Sequence, residues 1–426
     1  MKIASIFSIS VTLLWVVSGA PLQLKKRNSR WNYQDEKLYG VNTGGWLLLE
    51  PFITPSIFSD VGGEESNLPV DEYHYTKQLG KEEASERLQK HWSTWITEDD
   101  FEKMVEYGLN FVRIPIGYWA FELLDDDPYV QGQVEYLDKA IGWARNNGLK
   151  VWVDLHGLPG GQNGFDNSGI RDEVKWQSSQ TNIDLTYKVL NEIASKYSSS
   201  EYDDVVIGIE LGNEPNGSAL DLDQLAEYYN KGYEVVREYG DAPVIIHDAF
   251  RPNHYWDNSL NTEQDPEYWD VFVDHHHYQV FSHKELSRNI DDQVKVACEL
   301  GAIEGEEYHW NIIAEWSGAL TDCAKWLNGL GRGSRYDNTF QTEGYLGSCD
   351  GFFLGDESVF SGETWNNYRK FLEAQLDAYE HSKNAGWAFW TWKTETTFEW
   401  SFTKLVELNV IPQPLSDRHF PNQCGY

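Results

Sequence analysis

Eight short apolar runs, each ending in turn residues and several followed by a helical stretch, constrain the fold more than any other feature of this chain. Two of them, Val151 to Val153 and Val205 to Ile209, are apolar without clean alternation, which is typical of strands buried on both faces. Strands that alternate with helices predict parallel pairing. The eight runs are 39–46, 110–116, 150–157, 205–213, 242–249, 271–281, 310–317 and 386–393.

Eight parallel strands are the number that closes a TIM (β/α)8 barrel, so we expect an α/β fold of that type. Helices are predicted between the strands, for example at 97–107 and 226–239, and the first starts with a capping pair, Thr97 and Asp100. Neither a low-complexity linker nor a short repeat divides the chain. We therefore expect one domain over residues 28–426, with long loops at the C-terminal face of the barrel.

The first 27 residues carry two processing signals. A largely apolar stretch from Ile3 to Val17 precedes the small residues Ser18-Gly19-Ala20, which predicts a signal peptide over residues 1–20. The basic run Lys25-Lys26-Arg27 predicts a second cut that removes a propeptide, residues 21–27. No later segment approaches about 20 uninterrupted apolar residues. We therefore expect a secreted protein without a membrane anchor.

The chain is strongly acidic, with 34 basic and 68 acidic residues and a formal net charge of -34. Such a field repels nucleic acid and anionic lipid but leaves an uncharged ligand unaffected, so we expect neither a nucleic-acid nor a membrane partner. Aromatic residues make up 15% of the chain, more than a core requires, and the surplus suits flat platforms for sugar rings. No oligomer signal is visible, and a monomer is expected.

Four cysteines, Cys298, Cys323, Cys349 and Cys424, lie in the last third of the chain. In a secreted protein this favours disulfides over zinc or redox chemistry, and no CxxC spacing is present. Four cysteines allow three connectivities, and the sequence alone does not decide between them. We prefer Cys298 with Cys424, which would tie back the C-terminus, and Cys323 with Cys349, which would close a glycine-rich loop.

Two glutamates, Glu214 and Glu315, end the fourth and seventh runs. A single glutamate at a strand end is usually solvated or ion-paired, but two at these strand ends would face the same opening of a barrel. Retaining hydrolysis of a glycosidic bond needs two carboxyl groups roughly 5 Å apart, one to protonate the leaving oxygen and one to attack the anomeric carbon. The pair therefore predicts a glycosidase.

The sequence around these glutamates resembles glycoside hydrolase family 5. Asn213-Glu214-Pro215 together with Glu315 carries the resemblance. Within that family the chain is similar to fungal secreted exo-β-1,3-glucanases from about Tyr39 to the C-terminus. The motifs that carry this closer similarity are Gly40-Val41-Asn42-Thr43-Gly44-Gly45-Trp46, Asp154-Leu155-His156-Gly157, Gln162-Asn163-Gly164-Phe165-Asp166-Asn167-Ser168-Gly169, Asp274-His275-His276-His277-Tyr278 and Trp390-Thr391-Trp392-Lys393.

The resemblance implies a retaining exo-β-1,3-glucanase that releases glucose from non-reducing ends, with transglycosylation as a side reaction and no metal or organic cofactor. Glu214 would be the acid/base and Glu315 the nucleophile. Glu50 would bind the terminal glucose and close the cleft into a pocket. The substrate-binding residues implied are Glu50, Arg113, His156, Phe165, Asn167, Asn213, His276, Tyr278, Phe281 and Trp390, with Phe165 and Phe281 facing each other at the entrance and Trp390 as the floor.

Other interpretations stay open at this point. An endo-acting enzyme, a β-1,6-glucanase and a transglycosylating wall-remodelling enzyme share the same chemistry, and a non-catalytic glucan-binding wall protein could keep the fold. Thr43 and Ala314 depart from the family pattern, which bears on the shape of the pocket and on linkage preference. Three consecutive histidines from His275 do not predict a metal site, since neighbouring side chains on a strand point to opposite faces. A glycan on the Asn216 sequon would obstruct the site beside Glu214.

Overall fold

The computed structural model describes residues 30–359, 362–381 and 383–426. The predicted signal peptide and propeptide lie outside the described residues. Eight parallel strands form a closed barrel in chain order, with β1 paired to both β2 and β8, which confirms the predicted fold class. The strands are β1 (Leu38–Asn42), β2 (Phe111–Gly117), β3 (Lys150–Gly157), β4 (Val206–Glu210), β5 (Val244–His247), β6 (Val271–His277), β7 (Trp310–Trp316) and β8 (Asn384–Phe389).

Helices surround the barrel. They are α1 (Pro55–Ser59), α2 (Glu72–Leu79), α3 (Lys81–Thr94), α4 (Glu98–Glu106), α5 (Gln133–Asn147), α6 (Gln180–Tyr197), α7 (Leu222–Tyr239), α8 (His283–Leu286), α9 (Ile290–Glu304), α10 (Glu363–Tyr379) and α11 (Phe402–Glu407). The predicted capping pair is present, because Thr97 and Asp100 form a capping box at the start of α4. The connection 248–270, which is described throughout, contains no helix, so β5 and β6 depart from the regular β/α alternation.

The lower part of the barrel interior is apolar. Inward side chains from different strands pack together there, and Tyr33, which precedes β1, covers them from the N-terminal side. All of these side chains are almost completely excluded from solvent, as expected where the interior of a TIM barrel is filled by layers of side chains. The cluster comprises Tyr33, Leu38, Phe111, Trp152, Ile207, Ile245, Phe272, Ile312, Ala314, Ala385 and Ala388.

Several strands end earlier than the sequence predicted. β4 ends at Glu210 rather than Asn213, and β6 ends at His277 rather than Phe281. The chain leaves the regular ladder here: Glu214 adopts a left-handed backbone conformation with φ of 45°. Glu214 and Tyr278 therefore lie in loop segments just above the barrel and not in the strands themselves.

Two disulfides tie down the C-terminal third of the structure. Cys298, on α9, is joined to Cys424 near the C-terminus, and Cys323 is joined to Cys349 within the long connection between β7 and α10. These are the two pairings preferred above. Among the described residues, no helix combines the length and the apolar character needed to cross a membrane.

Candidate active site

On three strands, the inward-facing side chains change from apolar to charged over a distance of two residues. Phe111 on β2, Trp152 on β3 and Phe272 on β6 belong to the apolar layer. Because side chains two residues apart on a strand share a face, Arg113, Asp154 and Asp274 also point inward, one layer higher. All three are completely buried.

Arg113 is the centre of this ionic layer. It is the third residue of β2, and its long side chain reaches the residues at the C-terminal ends of the strands. Its guanidinium donates to Glu210 at 2.7 Å, to Asn213 Oδ1 at 2.7 Å and to Glu315 at 2.9 Å, and lies 3.1 Å from Asp154 Oδ2. Burial alone would lower the pKa of Arg113, but the surrounding carboxylates raise it, so Arg113 is a fixed positive charge.

Glu315 lies directly above Arg113, near the C-terminal end of β7. One carboxylate oxygen accepts from Arg113 Nη1 at 2.9 Å, and the other accepts from Tyr278 Oη at 2.9 Å. Burial raises the pKa of Glu315 to about 7; the charge of Glu214 adds to the shift, while His276 and Arg113 oppose it. Both hydrogen bonds favour the ionised form, which is the form that a nucleophile requires.

Glu214 faces Glu315 from the end of β4. Its Oε1 lies 2.8 Å from His276 Nδ1, and its Oε2 accepts from Asn167 Nδ2 at 3.0 Å. Although burial raises the pKa of Glu214, the hydrogen bond and charge of His276 outweigh that effect and lower it to about 2. The proton that Glu214 would use thus lies on His276 Nδ1 or is shared with it.

A group with the composition of a metal site occurs here: Glu214, His247 and His276 present ligand atoms within 4.8 Å of one another. The donor chemistry does not fit a cation. His276 directs Nδ1 at Glu214 and Nε2 at Asp274, 3.3 Å away, and these carboxylates raise its pKa well above the usual value against the effect of burial. A doubly protonated imidazole has no lone pair for a metal. The neighbouring His275 faces away from the site, between Asp248 and Glu307.

His156 completes the floor of the site beside Trp390. Its ring stacks on Trp390 with centroids 5.5 Å apart and an interplanar angle of 11°. Nδ1 lies 2.6 Å from Asp154 Oδ2, and Nε2 lies 3.3 Å from Asn213 Nδ2. Burial, together with the charge of Arg113, lowers the pKa of His156 to about 3, so the ring is neutral.

These groups lie at the base of a cavity of about 580 Å³ at the C-terminal face of the barrel. Eight of the residues predicted from sequence line it, and the other four are Arg113, His156, Asn213 and His276. Arg113 contacts Glu315, His276 contacts Glu214 and His156 stacks on Trp390, whereas Asn213 contacts Arg113 and His156. The eight lining residues are Glu50, Phe165, Asn167, Glu214, Tyr278, Phe281, Glu315 and Trp390.

The cavity has a buried inner end and an exposed entrance. Glu50 and Trp390 are each 3% exposed, whereas Phe165 is 46% and Phe281 is 41% exposed. Phe165 packs edge-on against Phe250, with centroids 6.5 Å apart. Burial raises the pKa of Glu50 well above its usual value, with the charges of neighbouring carboxylates adding to the shift, and its Oε1 accepts from Gly45 N at 3.3 Å.

Sequence reasoning missed part of the lining and the ionic layer. Phe250 follows β5, and several other residues come from the long segment after β7, where no strand-end pattern marks them. The buried carboxylates had a signal: Asp154 and Asp274 each stand two residues before a histidine already placed in the site, on the same face of the strand. The lining residues missed include Asp166, Arg171, Phe250, Asn328, Arg332, Arg335, Phe340 and Trp400.

Comparison with known proteins agrees with this geometry. The family described as "Cellulase (glycosyl hydrolase family 5)" matches residues 76–396. The "Glucan 1,3-beta-glucosidase" of Pichia angusta is 60% identical, over 100% of this chain and 97% of the relative. "Glucan 1,3-beta-glucosidase I/II" of Saccharomyces cerevisiae is 53% identical, over 92% of this chain and 88% of the relative.

A solved structure shares the fold at much lower identity. Rutinosidase from Aspergillus niger superimposes with a TM-score of 0.69 at 18% identity, over 89% of this chain and 98% of that chain. At such identity the likeness speaks for the fold alone. The family match and the full-length relatives confirm the resemblance read from the sequence: this chain is a glycoside hydrolase and belongs to glycosyl hydrolase family 5.

Proposed function

We propose that the chain is a retaining exo-acting glucan 1,3-β-glucosidase, which removes glucose from the non-reducing ends of β-1,3-glucan. The name shared by relatives that match almost the whole chain at 53% to 60% identity supports the substrate class. The observation that carries the retaining mechanism is the short separation of Glu214 and Glu315.

The distance between the Glu214 and Glu315 carboxylates has an upper limit, because both lie close to the same nitrogen atom of His276. His276 Nδ1 lies 2.8 Å from Glu214 Oε1 and 3.3 Å from Glu315 Oε2, so these two oxygens are at most about 6.1 Å apart. Retaining glycosidases place their carboxyl groups roughly 5–5.5 Å apart, whereas inverting enzymes need roughly 6.5–9.5 Å to admit a water molecule. The limit supports direct attack by a carboxylate.

The contacts of each glutamate support its role. Glu315, whose ionised form is favoured by Arg113 and Tyr278, attacks the anomeric carbon and forms a glycosyl-enzyme ester. Glu214 gives the leaving oxygen the proton that it shares with His276. Once Glu315 is esterified its charge is gone, and Glu214 takes a proton from the water that hydrolyses the ester.

The shape of the cavity supports exo action. Its inner end, at Glu50 and Trp390, is almost completely buried, while Phe165 and Phe281 at the entrance are exposed. A terminal glucose would occupy the inner end, with its hydroxyls on Glu50 and its apolar face on Trp390. The following sugar would pass between the entrance aromatics, because aromatic faces bury well against sugar rings.

We further propose that the protein is secreted, after removal of residues 1–27, and acts as a monomer outside the cell or in the cell wall. Two disulfides support an oxidising compartment. An N-terminal sequence with a signal-peptide pattern and a basic cleavage site supports export.

Product analysis tests the proposal. Proton NMR on a soluble β-1,3-glucan in the first minutes of reaction should show glucose as the only initial product, in the β-configuration. First-formed α-glucose would contradict retention, and initial release of longer oligosaccharides would contradict exo action. Products longer than the substrate would indicate glucosyl transfer from the same glycosyl-enzyme.

A further inference from the structure

Four side chains in the ionic layer form a closed ring of polar contacts. Arg113 Nη2 lies 3.1 Å from Asp154 Oδ2, which lies 2.6 Å from His156 Nδ1. His156 Nε2 lies 3.3 Å from Asn213 Nδ2, and Asn213 Oδ1 accepts from Arg113 Nη2 at 2.7 Å, which closes the ring. Each of the four is 0% exposed, so solvent does not supply an alternative partner.

Arg113 sets the polarity of this ring because a guanidinium has donors only. It requires an acceptor oxygen from Asn213 on one side and an acceptor oxygen from Asp154 on the other. With Oδ1 turned to Arg113, the Asn213 amide points Nδ2 at His156 Nε2, which must then be the unprotonated nitrogen. The hydrogen of neutral His156 is therefore on Nδ1, where Asp154 accepts it.

We propose that Asp154 is a positioning residue for the hydrolysis: by holding the hydrogen of His156 on Nδ1, it lets His156 Nε2 accept from the Asn213 amide, and so stabilises the orientation in which Arg113 holds that amide toward the sugar. One Nδ2 hydrogen of Asn213 is used by His156, and the second is left for the hydroxyl next to the anomeric carbon. This inference rests on the proposed function, because it requires Asn213 to bind the sugar hydroxyl next to the anomeric carbon.

Replacing Asp154 by alanine removes one acceptor of the ring. Asp154 Oδ2 contacts both Arg113 and His156, so an asparagine oxygen in the same place would keep both contacts, whereas alanine keeps neither. His156 is then no longer held as the Nδ1 tautomer, and a hydrogen on Nε2 opposes the Nδ2 hydrogens of Asn213. The Asn213 amide must rotate or withdraw, and the sugar hydroxyl loses its donor.

The test compares two substrates, 4-nitrophenyl β-D-glucopyranoside and its 2-deoxy analogue, with wild type and with Asp154→Ala. Hydrogen bonds to this hydroxyl strengthen in the transition state, so Asp154→Ala should lower kcat/KM for the glucoside by about tenfold or more, and by less than about threefold for the 2-deoxy analogue. An equal loss for both substrates would overturn the proposal.

Asp274→Ala is the matched control. Asp274 also stands two residues before a site histidine and lies 3.7 Å from Arg113, but its partner is His276 and it is not a member of the ring. We expect Asp274→Ala to lower kcat/KM for both substrates by the same factor. A selective loss for the glucoside in this control as well would remove the special role of Asp154.

A second readout does not depend on the variant folding or on activity. Nitrogen-15 NMR of wild-type protein labelled at histidine, with the His156 signal assigned by its loss in His156→Gln, reports which ring nitrogen carries the hydrogen. The proposal requires a neutral His156 with the hydrogen on Nδ1, and a hydrogen on Nε2 would overturn it. Failure of wild type to cleave either glucoside would count against the proposed function and leave this tautomer result standing.

Discussion

The two layers of the barrel interior differ in what they contribute. The lower layer, with Phe111, Trp152 and Phe272, buries apolar surface and stabilises the closed barrel. The ionic layer above it, centred on Arg113, buries charges whose desolvation cost is offset only by close mutual contacts. Under the proposed mechanism, we therefore expect substitutions in the lower layer to change mainly stability and substitutions in the ionic layer to change mainly catalysis.

The largest separation of the two properties is expected at Glu315. Glu315→Gln keeps the shape and the hydrogen-bonding oxygen but removes the nucleophile, so kcat should fall by roughly 10⁴-fold or more. Because Glu315 is one of several buried carboxylates around Arg113, and Glu210 and Asp154 remain to pair with it, the free energy of unfolding should not decrease. Steady-state kinetics and urea unfolding, each beside wild type, measure the two effects. A variant that retains activity but unfolds more easily would reverse the interpretation of this residue.

The opposite pattern is expected in the apolar layer. Phe272→Ala leaves a cavity beneath Asp274 and should lower the free energy of unfolding by about 3–5 kcal/mol. Since Phe272 touches the site only through the strand, kcat should change by less than about threefold at a temperature where the variant stays folded. Urea unfolding with intact disulfides measures the first effect. A large loss of kcat without loss of stability would show that the layers are not separable.

Arg113 tests how the ionic layer acts on Glu315. Arg113→Lys keeps the charge but loses the fork that contacts Glu210, Asn213 and Glu315 together, and kcat/KM should fall by about 10²- to 10³-fold. Protonated Glu315 cannot attack, so kcat/KM rises with pH as Glu315 ionises, with a pKa that burial raises to about 7. Weaker contact with a positive charge raises that pKa further, so the acid limb of the pH profile should move to higher pH. A shift to lower pH would contradict this arrangement.

The smallest effect is expected at Glu50, at the inner end of the cavity. Burial raises the pKa of its carboxyl well above the usual value, which favours the protonated form, and Glu50→Gln offers a donor and an acceptor as that form does, so KM should rise by less than about tenfold. Glu50→Ala leaves the neighbouring polar groups without a partner and should cost more. Initial rates on laminari-oligosaccharides distinguish the variants. Equal effects of Gln and Ala would argue against a hydrogen-bonding role.

The fold was predictable because the barrel strands are apolar runs at regular spacing, and all eight lie within or overlap the predicted ranges. The strand ends were less predictable: residues such as Asn213 continue an apolar run in the sequence, but the backbone turns away to present Glu214 with a positive φ. Local pattern does not encode that turn.

The candidate site was predictable where strand ends and family motifs coincide, and the structure brings those residues together. The roles assigned to them stay predictions. The sequence did not reveal contacts between residues that are far apart in the chain. Glu210 contacts Arg113 across 97 positions, and Phe250 packs against Phe165 across 85 positions. Such contacts depend on how the barrel closes and where the loops run, and the pattern of apolar residues within one segment does not predict either.

The proposed mechanism depends above all on Glu315 being the nucleophile that forms a covalent intermediate. This can be tested by incubation with 2,4-dinitrophenyl 2-deoxy-2-fluoro-β-D-glucopyranoside, which slows hydrolysis of the intermediate, followed by peptide mass spectrometry. We expect one fluoroglucosyl group on the peptide that contains Glu315, located on that residue by fragmentation and absent in Glu315→Gln. A label on another carboxylate, or turnover of the reagent to first-formed α-product without any label, would rule out this role for Glu315.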